Sequence, residues 1–149
     1  MILAVDPGFS NYGCSVINEK GEVVNVGTLH TTKSKTKLLR VCDDDVQRIT
    51  DIVIGLSNII RKYNIKGVLG ELPPSNSQSA KSAKGLAMAV GLSVALFAER
   101  GLPVEWATPA EVKKALTGKK AASKEEMMKA ACNQYGWKIT EKKIYAKKT

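Results

Sequence analysis

The sequence predicts an α/β fold: a central five-stranded mixed sheet, three antiparallel strands and then parallel ones, flanked by helices. Three observations predict it. Short β-type runs crowd the first thirty residues around one tight turn. The spacing of apolar residues then switches to a helical period. From there strand-like and helix-like stretches alternate. With 149 residues the chain can bury a core without disulfides or structural metals, and it reads as one domain, 1–149.

Ile2–Asp6 is a short buried strand that ends on a carboxylate and turns at once on Pro7-Gly8. Gly13–Asn18 is a second β-type run. Glu19–Glu22, "EKGE", is the hairpin turn, and Val23–Leu29 is the third strand. Thr31–Lys37, "TTKSKTK", reads as a polar, basic, mobile loop. Between Leu38 and Tyr63 the apolar residues Val46, Ile49, Ile52, Val53, Leu56, Ile59 and Ile60 recur at helical spacing. "IKGVLGE" is a further strand ending on Glu71, closed by Pro73-Pro74. Ser79–Arg100 is a long helix, apolar nearly all round and rich in Ala and Gly, which calls for cover on more than one side. Leu102–Ala107 is the fifth strand. Thr108 and Ser123 each precede a helix as N-cap, with Glu111 and Glu126 three residues on and Gly118 ending the first. Residues 137–149, "WKITEKKIYAKKT", look like an incomplete strand.

The net charge of +9 is unevenly placed: Thr108–Thr149 holds 11 lysines against 4 acids, whereas Met1–Ala107 is nearly balanced. A polyanionic partner, above all nucleic acid, suits that distribution; a merely soluble lysine-rich surface is the plainer reading. Cys14, Cys42 and Cys132 are too few and too far apart for a disulfide framework or a zinc site, and are expected as reduced thiols. His30, the sole histidine, reads as an exposed strand-end residue. No stretch is expected to span a membrane, and the N-terminus has no signal-peptide pattern.

Two strands end in carboxylates, Asp6 and Glu71. If these strands are neighbours, both exits meet on one sheet edge, where two carboxylates suit a shared hard cation, Mg²⁺ or Mn²⁺. Beside a basic surface this points to metal-assisted attack on a phosphodiester. Taken singly, each acid is better read as bonding the amides of its own turn; the pair together carries the functional reading.

"ILAVDPGFSNYGCSVI" resembles the opening of RuvC-type Holliday junction resolvases, members of the RNase H-like (retroviral-integrase) superfamily. The Asp-Pro-Gly with Gly13 seven residues after Asp6, Glu71 at the fourth strand's end, the small-residue run Ser79–Gly91 and "TPAEVKKALTGKKAASKEEM" match in order. The resemblance implies an RNase H-like nuclease domain: a Mg²⁺-dependent endodeoxyribonuclease, acting as a homodimer on branched DNA in the cytoplasm of a bacterium or phage-infected host. It places the metal on Asp6 and Glu71, and charge stabilisation at phosphate on Lys124 and Lys113. Lys119 and Lys120 sit in a loop that could grip phosphates. For Lys124 and Lys113 the plainer alternative is a solvated helix face. The absence of fused modules is similar to the phage branch of the family.

Two departures stand out. The family carries a further Asp-x-x-Asp on a last helix, and no such pair follows Glu126, so the expectation is a chain cut short of its natural end. The aromatic wedge that related resolvases place after the second acid is missing from Leu72–Gln78. These departures keep open an alternative of another class, a non-cleaving DNA-binding protein on the same fold. An actin-like phosphotransferase fragment is disfavoured, because a second phosphate-binding glycine loop is absent.

Overall fold

The computed structural model describes residues 1–36, 38–73, 79–140 and 143–145, with 138–140 and 143–145 described by backbone alone. The order is β1 (Ile2–Asp6), β2 (Asn11–Ile17), β3 (Val23–His30), α1 (Val41–Lys62), β4 (Gly67–Glu71), α2 (Ala80–Glu99), β5 (Val104–Ala107), α3 (Pro109–Thr117), α4 (Lys124–Tyr135), β6 (Lys138–Thr140) and β7 (Lys143–Tyr145). The five-stranded sheet has the order β3-β2-β1-β4-β5. β1 pairs antiparallel with β2 and parallel with β4, as a β–crossover–β connection through α1 requires. The chain gathers into two compact units, Met1–Trp106 and Ala107–Thr149.

Within the first unit, alternation along β1 and β2 sends Leu3, Val5, Tyr12, Cys14 and Val16 into the core. The stripe Ile49, Ile52, Leu56 and Ile60 of α1 packs on them, together with Ala89 and Phe97 of α2. One polar pair is buried there. Ser93 gives its single proton to the Ala89 carbonyl at 2.6 Å, so the Tyr12 hydroxyl donates to Ser93 Oγ at 2.8 Å. Burial pushes the Tyr12 hydroxyl pKa up and the Cys14 thiol to about 12, so neither ionises near neutrality.

Within the single chain the long helix closes one stripe, Gly85, Ala89, Ser93 and Phe97, and leaves Leu92 and Val94 each 42% exposed. Other expectations are corrected. That helix is also long and apolar enough to cross a membrane by length and composition, contrary to the sequence reading. Its buried stripe, however, is part of the sheet's own core. The Thr31–Lys37 loop is tied down: Thr31 is buried, its hydroxyl donates to the Phe9 carbonyl at 2.6 Å, and the Ser34 amide donates to Asp44 at 2.8 Å. Lys37 itself lies outside the described residues. The terminal stretch is a two-stranded antiparallel sheet, with Ile139 opposite Ile144, rather than one incomplete strand.

Both predicted caps are present in the second unit. Thr108 and Ser123 accept from the amides of Glu111 and Glu126, whose carboxylates reach back to the cap amides. Gly118 and Gly136 end these helices at φ 77° and 66°, left-handed values that favour glycine.

Candidate active site

β1 and β4 run side by side in register, Ala4 beside Leu69 and Val5 beside Gly70. One step further along each strand brings Asp6 beside Glu71, on strands about 4.8 Å apart. Val5 and Gly70 are buried, so the next residues emerge on the opposite face. The two carboxylates, 65 positions apart in sequence, therefore share one face and one edge of the sheet.

The turn after Asp6 holds this arrangement. A Cβ at Gly8 would lie 2.2 Å from the Asn11 carbonyl oxygen, so only glycine lets the chain fold back so tightly into β2. Pro7 is buried and closes the ladder. Gly13, the partner of Asp6 in β2, leaves the acid its room: a Cβ there would sit 3.3 Å from the Asp6 Cβ. Asp6 opens to solvent, yet the surrounding sheet end strips part of its hydration, and that desolvation raises its pKa above the ordinary carboxylate value. A group so perturbed at a strand exit is a functional candidate with a physical cause.

The donor chemistry fits a hard cation. Both groups are carboxylates, and the thiol of Cys14 is buried on the opposite face, so no soft ligand competes. Two protein carboxylates, with water and phosphate oxygens filling the shell, form a donor set that magnesium accepts. Among the described residues no group of three or more His, Cys, Asp or Glu converges.

The four lysines read as functional belong to the second unit and are described within it. Lys113 is half-buried on α3. Lys124 is the first residue of α4, where a cation opposes the helix dipole; Glu125 and Glu126 follow it and restore the negative charge that position favours. Lys119 is exposed and donates to Glu126 at 2.8 Å, which raises the lysine's pKa and pulls the glutamate's down to about 2. Lys120 lowers the Glu111 pKa from nearby, behind the larger effect of the Thr108 amide and hydroxyl. His30 is exposed at the end of β3, its Nδ1 2.7 Å from Asn11 Oδ1. Residues 74–78, which include most of the segment without an aromatic wedge, lie outside the described residues, as do Glu141 and 146–149.

The sequence reading missed Arg48. It is buried on α1 between hydroxyls from positions 10 and 31. The only sequence signal was a cation at a core-facing phase of the helix.

Sheet order and carboxylate placement define an RNase H-like fold with its acids at the paired exits of two parallel strands. The solved structure of T. thermophilus RuvC in complex with Holliday junction substrate is similar, at 20% identity and a TM-score of 0.77, covering 95% of this chain and 83% of that one. The yeast mitochondrial Holliday junction resolvase Ydc2 is similar at 18% identity and a TM-score of 0.55, covering 90% of this chain and 61% of that one. At these identities the likeness concerns the fold. The family described as crossover junction endodeoxyribonuclease RuvC matches residues 2–133, and the chain belongs to that family.

Relatives so described include those of Paenarthrobacter aurescens, 30% identical over 138 residues, and Pseudothermotoga lettingae, 32% identical over 130. These alignments cover 86% and 85% of this chain, and 65% and 75% of the relatives. In the Corynebacterium glutamicum relative, 29% identical, they cover 85% of this chain but only 55% of the relative. The chain thus spans less than two thirds of the length of several of them.

Proposed function

We propose that this chain is a metal-dependent, structure-selective endodeoxyribonuclease that resolves Holliday junctions or other branched DNA by hydrolysing phosphodiester bonds. The observation that carries the reading is the parallel register of β1 and β4, which runs to Val5 beside Gly70, one residue before Asp6 and Glu71 at the two strand exits. Membership of the crossover junction endodeoxyribonuclease family supports it. Asp6 and Glu71 would hold Mg²⁺ or Mn²⁺. The ion would supply Lewis acidity at phosphorus and an activated water. The chain's own part is to orient the scissile phosphate and to meet the charge that builds on it. Lys124 and Lys113 are suited to that second task, being cations that can act where charge develops. Lys119 and Lys120 grip phosphates elsewhere on the arm without reading bases.

The outward face of α2 supports a homodimer. Ala87, Gly91, Leu92, Val94 and Ala95 are exposed along it, and small residues let two helices approach closely. A two-fold pair would present two equivalent sites to two equivalent strands of a junction. The place of action is the cytoplasm of a bacterial or phage-infected cell, where branched DNA arises.

The test is cleavage of a synthetic four-way junction with magnesium, by the wild type and by Asp6→Asn. Cleavage by the wild type that disappears in Asp6→Asn, with binding retained, supports the proposal. Binding without cleavage by the wild type would move the assignment to a DNA-binding protein. Replacing Lys119 and Lys120 by alanine should flatten the salt dependence of binding by about one unit of log–log slope for each phosphate no longer neutralised. An unchanged slope would remove these two lysines from the interface.

A further inference from the structure

A cavity of about 930 Å³ opens among the β1–β2 loop, the end of β3 and the first turns of α1 and α2. Its lining carries four cations, Lys33, Arg48, Lys81 and Lys84, against one carboxylate, Asp45. Lys84 is taken up by Asp45 in an ion pair, whereas Lys33 and Lys81 have none among the described residues.

Arg48 is the unusual member. It is only 8% exposed, yet among the described residues no carboxylate pairs with it. Asp44, on the same turn, accepts from the Ser34 amide. The hydrogen-bond partners of Arg48 are two hydroxyls: Nε donates to Thr31 Oγ1 at 3.0 Å and Nη2 to Ser10 Oγ at 2.7 Å. Its guanidinium carbon lies 4.0 Å from the centre of the Phe9 ring. A buried charge without an anion is costly, and neither hydroxyls nor an aromatic face replaces the missing countercharge.

The guanidinium is also held in a fixed plane. The Thr31 hydroxyl spends its proton on the Phe9 carbonyl, so it can only accept from Arg48. Nη1 has no hydrogen-bond partner among the described residues. Since no buried side-chain nitrogen or oxygen among the described residues lacks one, Nη1 must reach the cavity's solvent.

We infer that this cavity seats a backbone phosphate of the bound DNA, with Arg48 as its central donor and Lys33 and Lys81 at its rim. The inference rests on the DNA-cleaving function proposed above and adds a second anchoring point to it. Ser10 lies four residues after Asp6, so their Cα atoms are at most about 14 Å apart. That upper bound corresponds to no more than about four base steps at 3.4 Å each. A phosphate held on Arg48 would therefore fix the register of a strand whose cut lies a few nucleotides away. The planar, pre-set fork of arginine suits that task better than a mobile lysine.

The experiment measures junction binding by the full chain between 50 and 200 mM salt, for the wild type, Arg48→Gln, the Lys33→Ala/Lys81→Ala pair and Asp6→Asn. A second arm follows thermal unfolding with and without inorganic phosphate. The expected result is a log–log slope smaller by about one in Arg48→Gln and by one to two in the lysine pair, with Asp6→Asn keeping the wild-type slope. Phosphate should raise the unfolding temperature of the wild type and not of Arg48→Gln. If Arg48→Gln fails to fold, the lysine pair decides alone, because both side chains are exposed. A wild-type slope in that pair overturns the inference, even where phosphate stabilises the protein, since the cavity would then be a free-anion site. A wild type that binds and cuts junctions alongside unaffected variants overturns only this inference. A wild type that binds no junction overturns the proposed function as well.

Discussion

The inward face of β1 and β4 carries Leu3, Val5 and Val68, none more than 5% exposed, while the outward face carries Ile2, Ala4 and Leu69 and ends on Asp6 and Glu71. The same contrast runs along α2. Its inward stripe, Gly85 to Phe97, is closed against the core, and its outward side leaves Leu92 and Val94 open. Inward residues are chosen by volume and hold the fold. Outward ones break the rules of packing, with a desolvated carboxylate on the sheet and an apolar surface on the helix. Such departures mark places where selection acted on something other than stability.

That contrast can be broken experimentally, most strongly at the carboxylates. Asp6→Asn or Glu71→Gln should reduce junction cleavage by a factor of about a hundred to a thousand, as loss of one transition-state electrostatic contact does elsewhere. Binding should be kept, since a negative charge near phosphate is removed. Full cleavage by either variant would end the assignment of these residues. At an inward position, Leu56→Ala should instead cost about 2–5 kcal/mol of stability in denaturant unfolding, because Leu56 is fully buried. The surviving folded fraction should cut with wild-type chemistry.

Next in size is Ala95→Glu, on the outward side of α2. It should convert a dimer seen by light scattering into a folded monomer that binds DNA but no longer cuts paired strands together. A wild type that is monomeric at micromolar concentration would refute the dimer.

The smallest effect concerns pH. Burial raises the Asp6 pKa above its unfolded value, so the unfolded state holds fewer protons on this group than the folded state does. The carboxylate therefore penalises folding, a penalty that is absent below the unfolded pKa and appears as pH rises through the folded pKa. Without divalent cations, Asp6→Asn should be slightly more stable than the wild type at pH 7, and the gap should close on acidification. Wild type the more stable at pH 7 would show that Asp6 has a compensating partner.

Reading from sequence succeeded where the determinants are local. Thr108 with Glu111 and Ser123 with Glu126 are three residues apart, so each capping box is decided within one turn of chain. Asp6 and Glu71 were legible as strand ends, but their adjacency depended on β1 and β4 being neighbours, a topological choice. Arg48 was not legible as a site: its partners come from positions 10 and 31, and nothing in the helix around it signals that two hydroxyls would meet it. The excess apolar surface of α2 was visible as composition, yet within the chain one stripe of it is closed and the opposite side stays open. Composition counts apolar groups and does not say what covers them.

By itself the sequence determined the alternation that builds β1 and β2, the helical period of α1, the helix caps, the turn at Gly8 and the charge carried on the last forty residues. Each follows from steric and hydrogen-bonding preferences acting over a few residues. Long-range pairing was needed to bring the exits of β1 and β4 together, to bury one stripe of α2 and leave another open, and to enclose Arg48 with no ion-pair partner among the described residues. Those outcomes depend on long-range strand pairing and on which surfaces remain once the core has closed, and no local preference encodes them.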